Sequence, residues 1–268
     1  MEDSKVLAKR VRIDCLKMIS RAHASHIASA FSLTDLLAVL YSDVLKYDIN
    51  NPDWTDRDIF ILSKGHAGAA VYATLAEVGF FSTKELENYY QNGSKFSGHV
   101  SHKGVPGVEV STGSLGHGIG LAVGMALARK IDKSSSQVYV IVGDGECDEG
   151  SVWEAALFGH QFALDNLTVI VDRNHFQAMG RTEEIMSLVS LTEKWKSFGW
   201  DTVEIDGNDH EQIKSALQRK SEKPQCIVAN TIKGKGVSFM ENNLLWHYRD
   251  PQDNYFDDAL AELEADNA

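Results

Sequence analysis

Cysteine is scarce in this chain. Its 268 residues hold three, Cys15, Cys147 and Cys226, an odd number with no Cys-x-x-Cys pair. That argues against a disulfide framework and against a zinc ribbon, and free thiols in a cytoplasmic protein are the expectation. Cys147 lies beside polar residues of interest but in no reactive-thiol motif, and it reads as a bystander. Long apolar runs are also missing. The longest, Val138-Tyr139-Val140-Ile141-Val142, is far too short to cross a bilayer. The opening Met1-Glu2-Asp3-Ser4 lacks the basic and apolar pattern of a secretory leader. Basic charge is in deficit, with 26 Lys+Arg against 38 Asp+Glu and a formal charge of −12. Such a chain has no general attraction for nucleic acid or for an anionic membrane. A phosphate ligand would then depend on local backbone donors or a metal ion, not on a basic field.

What is present is globular. Apolar residues make up 43% and charged residues 24%, enough to build a core and too apolar for a disordered tail. The negative charge is concentrated at the end, where Asp250, Asp253, Asp257, Asp258, Glu262, Glu264 and Asp266 face no basic residue. Phe256, Leu260 and Leu263 recur there at helical spacing, which predicts an acidic helix with one docked face.

The first half reads as helices. Val6 to Ala24 is amphipathic, and Ser32 followed by Asp35 resembles a helix cap ahead of Leu36-Leu37-Ala38-Val39-Leu40. A short strand, Asp58–Leu62, precedes a small-residue helix over 67–79 and another starting at Ser82. From Asn92 to Gly113 no period is visible, and Gly93, Gly98, Gly104, Pro106, Gly107 and Gly113 mark a long loop of the kind that usually has a function. The second half alternates. Strands over 137–142, 167–171, 201–205 and 225–230 are separated by helices over 150–163, 191–198 and 210–217. Fully apolar strands between helices predict an α/β fold, a mostly parallel sheet with helices on both faces. We read residues 1–268 as one domain with an N-terminal helical layer.

Two motifs bear on chemistry. Gly113 to Ala126 contains Gly-x-Gly-x-Gly, but no strand precedes it and the spacing is wrong for a dinucleotide fingerprint. Gly116, Gly120 and Gly124 instead put a smooth stripe on one helical face, suited to close packing in a core or an interface between subunits. The second motif is Gly143-Asp144-Gly145, after one strand, with Asn174 thirty positions beyond Asp144 after the next. In an open parallel sheet those strand ends form the ligand crevice. An Asp carboxylate, an Asn carbonyl oxygen and a backbone carbonyl are hard oxygen donors for Mg²⁺, and with two phosphate oxygens and a water they fill an octahedral shell. Gly145 allows close backbone approach, and the following helix N-terminus favours an anion. The plainer alternative makes Asp144 a helix cap and Asn174 a turn residue.

Gly-Asp-Gly followed by about thirty residues and Asn is similar to the thiamine-diphosphate motif. Nearly the whole chain resembles the N-terminal, diphosphate-binding section of transketolases, and most of all the split forms whose two halves are separate chains. The likeness is carried in family order by Ser63–Ala67, Gly107-Val108-Glu109, Ser111–Gly116, Gly143–Gly150, Lys233–Asn242 and Trp246-His247. It implies a thiamine-diphosphate-binding fold, with thiamine diphosphate and Mg²⁺ (or Ca²⁺ or Mn²⁺) as cofactors. Asp144, Asn174 and the main-chain oxygen of Phe176 would hold the metal. Gly145, His66 and His247 would contact the diphosphate, and Gly113, Ser114 and Leu115 would line the cofactor. Glu149 would face a glutamate of a partner domain, and His26, His66, His99 and His247 would line a substrate channel.

The implied reaction is transfer of a two-carbon ketol unit from a ketose to an aldose, with sugars or sugar phosphates as substrates. The pyrimidine-binding and C-terminal domains of a transketolase have no counterpart here. The resemblance therefore implies a second, C-terminal chain as partner, in a heterotetramer. Some positions depart from the family pattern. Ser25-His26-Ile27-Ala28 stands where Gly-His-Pro-Gly is usual, His175 follows Asn174 in place of Gly, Met179 replaces a common Asp, and Val100 follows His99, with His102 an additional candidate. These departures predict a specialised transketolase acting on an unusual sugar. Other readings are the first component of a 2-oxo-acid dehydrogenase, deoxyxylulose-phosphate synthase, and a non-catalytic partner that retains the fold.

Overall fold

Five short strands form one parallel sheet in the order β1-β2-β3-β5-β4. They are β1 (Ile59–Leu62), β2 (Val138–Gly143), β3 (Leu167–Arg173), β4 (Asp201–Asp206) and β5 (Gln225–Asn230). This computed structural model describes residues 3–265. Asp266 of the acidic terminus lies outside the described residues, as do Met1 and Glu2.

Both faces of the sheet are covered, as the unbroken apolar strands require. Side chains alternate sides along each strand. On β2, Tyr139 and Ile141 join the core beneath the N-terminal helices, while Val138, Val140 and Val142 join the opposite core. The first core is roofed by α1 (Ser4–Ala22), α2 (Ile27–Ser32), α3 (Thr34–Val39), which continues as a π-turn over Leu40–Val44, and α4 (Gly68–Glu77). The second is closed by α5 (Gly118–Ile131) and α6 (Gly150–Gln161), then, beyond the single turn α7 (Thr182–Ile185), by α8 (Leu191–Ser197). α9 (His210–Leu217) and α10 (Asn254–Ala265) return to the first face. The expected acidic helix is α10. It docks through buried Ala259 and Leu263, with its carboxylates outward except Glu262, which accepts from the Ser238 hydroxyl at 2.8 Å. No helix among the described residues is long and apolar enough to cross a membrane.

Two local expectations need correction. Ser32 is not a helix cap. It is the buried last residue of α2, and its hydroxyl donates to Asp172 Oδ2 at 2.6 Å. Asp35 turns away to Arg12 Nη2 (2.8 Å) and Asn208 Nδ2 (2.7 Å). Buried charge-assisted bonds across the fold outweigh a local cap. Of the expected glycine stripe, Gly116 lies ahead of α5 with a φ of 77° and packs against Glu149 and Ser151, while Gly120 and Gly124 stand open on the helix, which leaves the interface alternative and not the core. A Cβ at Gly120 or Gly124 would meet nothing within 4 Å, and Leu121 beside them is 44% exposed.

The loop over 92–113 is irregular, as expected, but it is firmly seated. Val100 N–H donates to Gly65 O (2.9 Å), Thr112 Oγ1 to Leu62 O (2.5 Å) and Tyr72 Oη to His99 O (3.0 Å). Gly68 is obligatory there, because a Cβ would lie 2.7 Å from the Val100 nitrogen. The loop thereby holds His99 and Gly113 over the carboxyl ends of the strands.

Candidate functional site

At those strand ends lies a cleft of about 310 Å³, bordered by Asp144, Gly145, Asn174, Phe176, Gly113, Leu115 and four histidines. Asp144 follows β2 and Asn174 follows β3, and the pairing of Gly143 with Asp172 brings the two turns side by side. Asp144 Oδ1 accepts from Gly145 N–H (2.9 Å), and Oδ2 accepts from His175 N–H (2.8 Å) and Thr182 Oγ1 (2.9 Å). Among the described residues it has no cationic partner at salt-bridge distance. Burial first, and then the negative charge of Asp172, push its carboxyl up to about 6.

Asn174 is oriented from behind. Its Nδ2 donates to Asp172 Oδ2 (3.3 Å) and Ser32 Oγ (3.4 Å), which leaves Oδ1 on the other side to accept from Phe176 N–H (3.2 Å). Asp172 is fully buried and pairs with Lys64 Nζ at 2.5 Å. Burial acts to raise its pKa, but the Lys64 charge and hydrogen bonds from Lys64, Ser32 and Thr231 outweigh that and hold it below the usual carboxylate range. Among the described residues no three His, Cys, Asp or Glu side chains are grouped to hold a metal. The donor set that fits a cation is therefore one carboxylate, one amide oxygen and one main-chain oxygen, from Asp144, Asn174 and Phe176. Such a sparse, all-oxygen set suits Mg²⁺, which keeps water and phosphate ligands. A divalent cation would also relieve a buried carboxylate that forms no ion pair among the described residues.

The histidines do come together. His26 lies 5.0 Å from His66, 5.1 Å from His247 and 6.0 Å from His99, centroid to centroid. Burial lowers His26 to about 4, helped by His99 and Lys233, and lowers His247 to about 3, helped by Lys233 and His26. His66 is held well below its ordinary value by burial and Lys64. A neutral imidazole has one donor and one acceptor nitrogen, which matches the hydroxyls of a polyol, although the acceptor of His247 is taken up within the chain. Lys233 Nζ sits 3.0 Å from His247 Nδ1 and 3.2 Å from Phe176 O. As an ammonium it donates to both, so Nδ1 of His247 is an acceptor and Nε2 carries the proton. Burial, and then the Lys64 charge, lower Lys233 to about 8.

The remaining predicted residues divide. Gly113, Leu115 and Gly145 border the cleft; Ser114 is exposed outside its lining. Glu149 is exposed at the N-terminus of α6 and does not enter the cleft from this chain. His102 bonds Ser111 Oγ at 2.8 Å and stays outside, and Met179 is 82% exposed. Sequence reasoning gave no role to Lys64, Lys233, Asp172 or Glu146. The two lysines stood inside quoted motifs, but their burial was not visible. Net charge gave no sign of them either, for this acidic chain places two lysines on the cleft wall, one of them paired with Asp172. Glu146 is buried and accepts from Gly116 N–H (2.8 Å), Gly143 N–H (3.0 Å) and Ser63 Oγ, tying three loops together.

The crevice at the parallel strand ends, with its oxygen donors and ring of imidazoles, lies within a domain whose class the family match supplies. Residues 3–249 match the family model for the transketolase thiamine diphosphate binding domain, and the chain belongs to that family. It is 40% identical over 266 residues to an apulose-4-phosphate transketolase subunit of Phocaeicola vulgatus, covering 98% of this chain and 94% of that one. It is 35% identical over 260 residues to human transketolase, of which it covers 42%. The crystal structure of Campylobacter jejuni transketolase superposes with a TM-score of 0.92 at 30% identity, over 98% of this chain and 43% of that one. The chain thus spans less than half of the single-chain transketolases and nearly all of the Phocaeicola subunit.

Proposed function

We propose that this chain is the diphosphate-binding subunit of a two-chain, Mg²⁺- and thiamine-diphosphate-dependent transketolase. The observation that carries the reading is the convergence of Asp144, Asn174 and Phe176 O with His26, His66, His99 and His247 on one cleft. When bound, the cofactor supplies the electron sink for breaking and remaking a carbon–carbon bond. Asp144, Asn174 and Phe176 O would hold the metal, with Ca²⁺ or Mn²⁺ as substitutes, and Gly145, His66 and His247 would border the diphosphate. Gly113, Ser114 and Leu115 would line the ring system. Lys233 fixes the His247 tautomer, so that Nε2–H faces the ligand side. His26 and His99 would hydrogen-bond the substrate hydroxyls and take part in moving their protons.

The second chain completes the site. Glu149, exposed here, would meet the partner's pyrimidine-binding domain. Exposed apolar side chains on α5 and at α6, Leu121 (44% exposed), Leu157 (58%) and Phe162 (46%), together with open Gly120 and Gly124, support an interface between subunits. Two copies of each chain, a heterotetramer, is the assembly we favour. Three buried, unpaired thiols fit a reducing compartment such as the cytoplasm. The sugar is left open by this half of the enzyme. Two relatives are named for apulose 4-phosphate and for 6-deoxy-6-sulfo-D-fructose, and the altered Ser25–Ala28 segment supports an unusual ketose here too.

The deciding experiment is calorimetry of thiamine diphosphate with Mg²⁺, with and without the C-terminal chain, followed by a ketol-transfer assay. Binding that is strengthened by the second chain, with transfer only by the pair, is the expected result. Ketose turnover by the purified single chain would overturn it.

A further inference from the structure

Tyr248 follows His247 directly, yet the two side chains have opposite surroundings. His247 is buried, while Tyr248 is 60% exposed on the rim of the cleft. Its ring stands edge-on to His247 at 4.7 Å and tilted to His26 at 5.9 Å. The ring is carried on a pinned backbone: Ser25 Oγ donates to Tyr248 O at 3.0 Å, and His26 N–H donates to His247 O at 2.9 Å. Arg249 points elsewhere, with its guanidinium over Tyr255 at 4.4 Å and Trp246 at 5.3 Å. Among the described residues the Tyr248 hydroxyl meets no hydrogen-bond partner. An aromatic face with an unused hydroxyl, held rigidly at the mouth of a polar cleft, has the chemistry to stack on the C–H face of a polyol and bond one of its hydroxyls.

We infer that Tyr248 is a specificity-determining residue, the wall along which the polyol chain of the ketose donor lies. The inference rests on the transketolase reading above. It places recognition of the non-reacting carbons partly on this chain, through the hydrogen-bonded pair of segments 25–26 and 247–248. The two-carbon unit itself would sit deeper, among the histidines.

The test uses the reconstituted two-chain enzyme with two kinds of donor. D-fructose 6-phosphate, D-xylulose 5-phosphate and 6-deoxy-6-sulfo-D-fructose, the sugar for which one relative is named, carry the polyol chain. Hydroxypyruvate carries the same two-carbon ketol unit, with only a carboxylate in place of that chain. The readout is the ratio of kcat/KM for ketose to that for hydroxypyruvate. Tyr248→Phe lowers the ratio roughly fivefold, the size of one lost hydrogen bond, mainly through KM. Tyr248→Ala lowers it further, because the wall goes as well. An unchanged ratio in both variants overturns the inference, as does weakened assembly with the partner as the only effect. A wild-type pair that accepts hydroxypyruvate but none of these ketoses also overturns it, while leaving two-carbon transfer standing. A wild-type pair that turns over no donor at all overturns the transketolase reading itself.

Discussion

His26 and His247 meet edge to face, centroids 5.1 Å apart at 90°, and the same two residues are joined through the main chain, His26 N–H donating to His247 O at 2.9 Å. One comes from the turn between α1 and α2, where His26 takes a φ of 76°; the other comes from the segment after β5. Closure of the chain on itself therefore builds the floor of the cleft. A non-glycine residue in the left-handed region is uncommon, and here it aims the imidazole inward.

Both rings have lowered pKa values, which links them to stability. His26 titrates at about 4 and His247 at about 3 in the folded chain, against about 6.5 in an unfolded one. Below 6.5 the unfolded state binds more protons than the folded state, so stability falls as pH drops from about 6.5 toward 4. Urea midpoints at pH 7.5, 6 and 5 should decline. His26→Asn and His247→Asn should each flatten the decline between pH 6 and 5.

The Lys64–Asp172 pair is buried on both sides, with side chains 2% and 0% exposed. Asp172→Asn leaves the lysine charge without its partner and releases Asn174 from its anchor. Loss of one member of such a pair costs about 3–5 kcal/mol, read as a lower denaturant midpoint at unchanged slope. Because Asp172 is held below the usual carboxylate range, the wild-type contribution is complete above that range and is lost as pH falls through the folded value.

Removing the carboxylate from the oxygen set should abolish the metal-dependent part of cofactor binding. Altering groups that merely orient a metal ligand costs about 10–100-fold in affinity; Asp144→Ala removes a ligand and should cost at least that, by calorimetry with thiamine diphosphate and Mg²⁺. Thermal stability without cofactor should not fall in parallel, since the variant also relieves a buried carboxylate that forms no ion pair among the described residues. Equal affinity for the wild type and Asp144→Ala would remove this residue from the site.

Lys233→Met removes the donor shared by Phe176 O and His247 Nδ1. Both lose their orientation at once, so cofactor affinity and kcat should fall together, by about 10–100-fold. Lys233→Arg should restore little, because a planar fork does not replace a point ammonium at two acceptors.

Leu157 is exposed on α6 and Phe162 at its C-terminal end, and neither lines the cleft. Leu157→Asp should leave the circular dichroism spectrum and the isolated chain's stability nearly unchanged. If the patch is the interface, the variant should weaken association with the C-terminal chain by roughly thirtyfold or more, the scale of an interface hot spot. Sedimentation velocity of the mixed chains measures this.

The parallel sheet was legible because Val138–Val142, Leu167–Val171 and Gln225–Asn230 carry the unbroken apolar pattern of strands covered on both faces. Asp144 and Asn174 were legible because strand ends are where such a sheet binds ligands, and the motif spacing marked both. The cap at Ser32 was misread because a local pattern does not reveal that Asp172, far along the chain, competes for the same hydroxyl. The role of Lys64 and Lys233 was hidden for a related reason: a lysine in a glycine-rich motif reads as surface charge until its burial is known.

Residue order alone settles the helix and strand periods, the Gly-Asp-Gly to Asn spacing, the deficit of basic charge and the family to which the chain belongs. These are properties of neighbours along the chain or of short patterns. Tertiary structure alone decides that four scattered histidines share one cleft, that Asp172 orients Asn174 while neutralising Lys64, that Lys233 selects the tautomer of His247, and that Glu149 faces outward. Each of these depends on contacts between segments far apart in sequence, and on burial, which changes the charge state and bonding of a side chain without changing its identity.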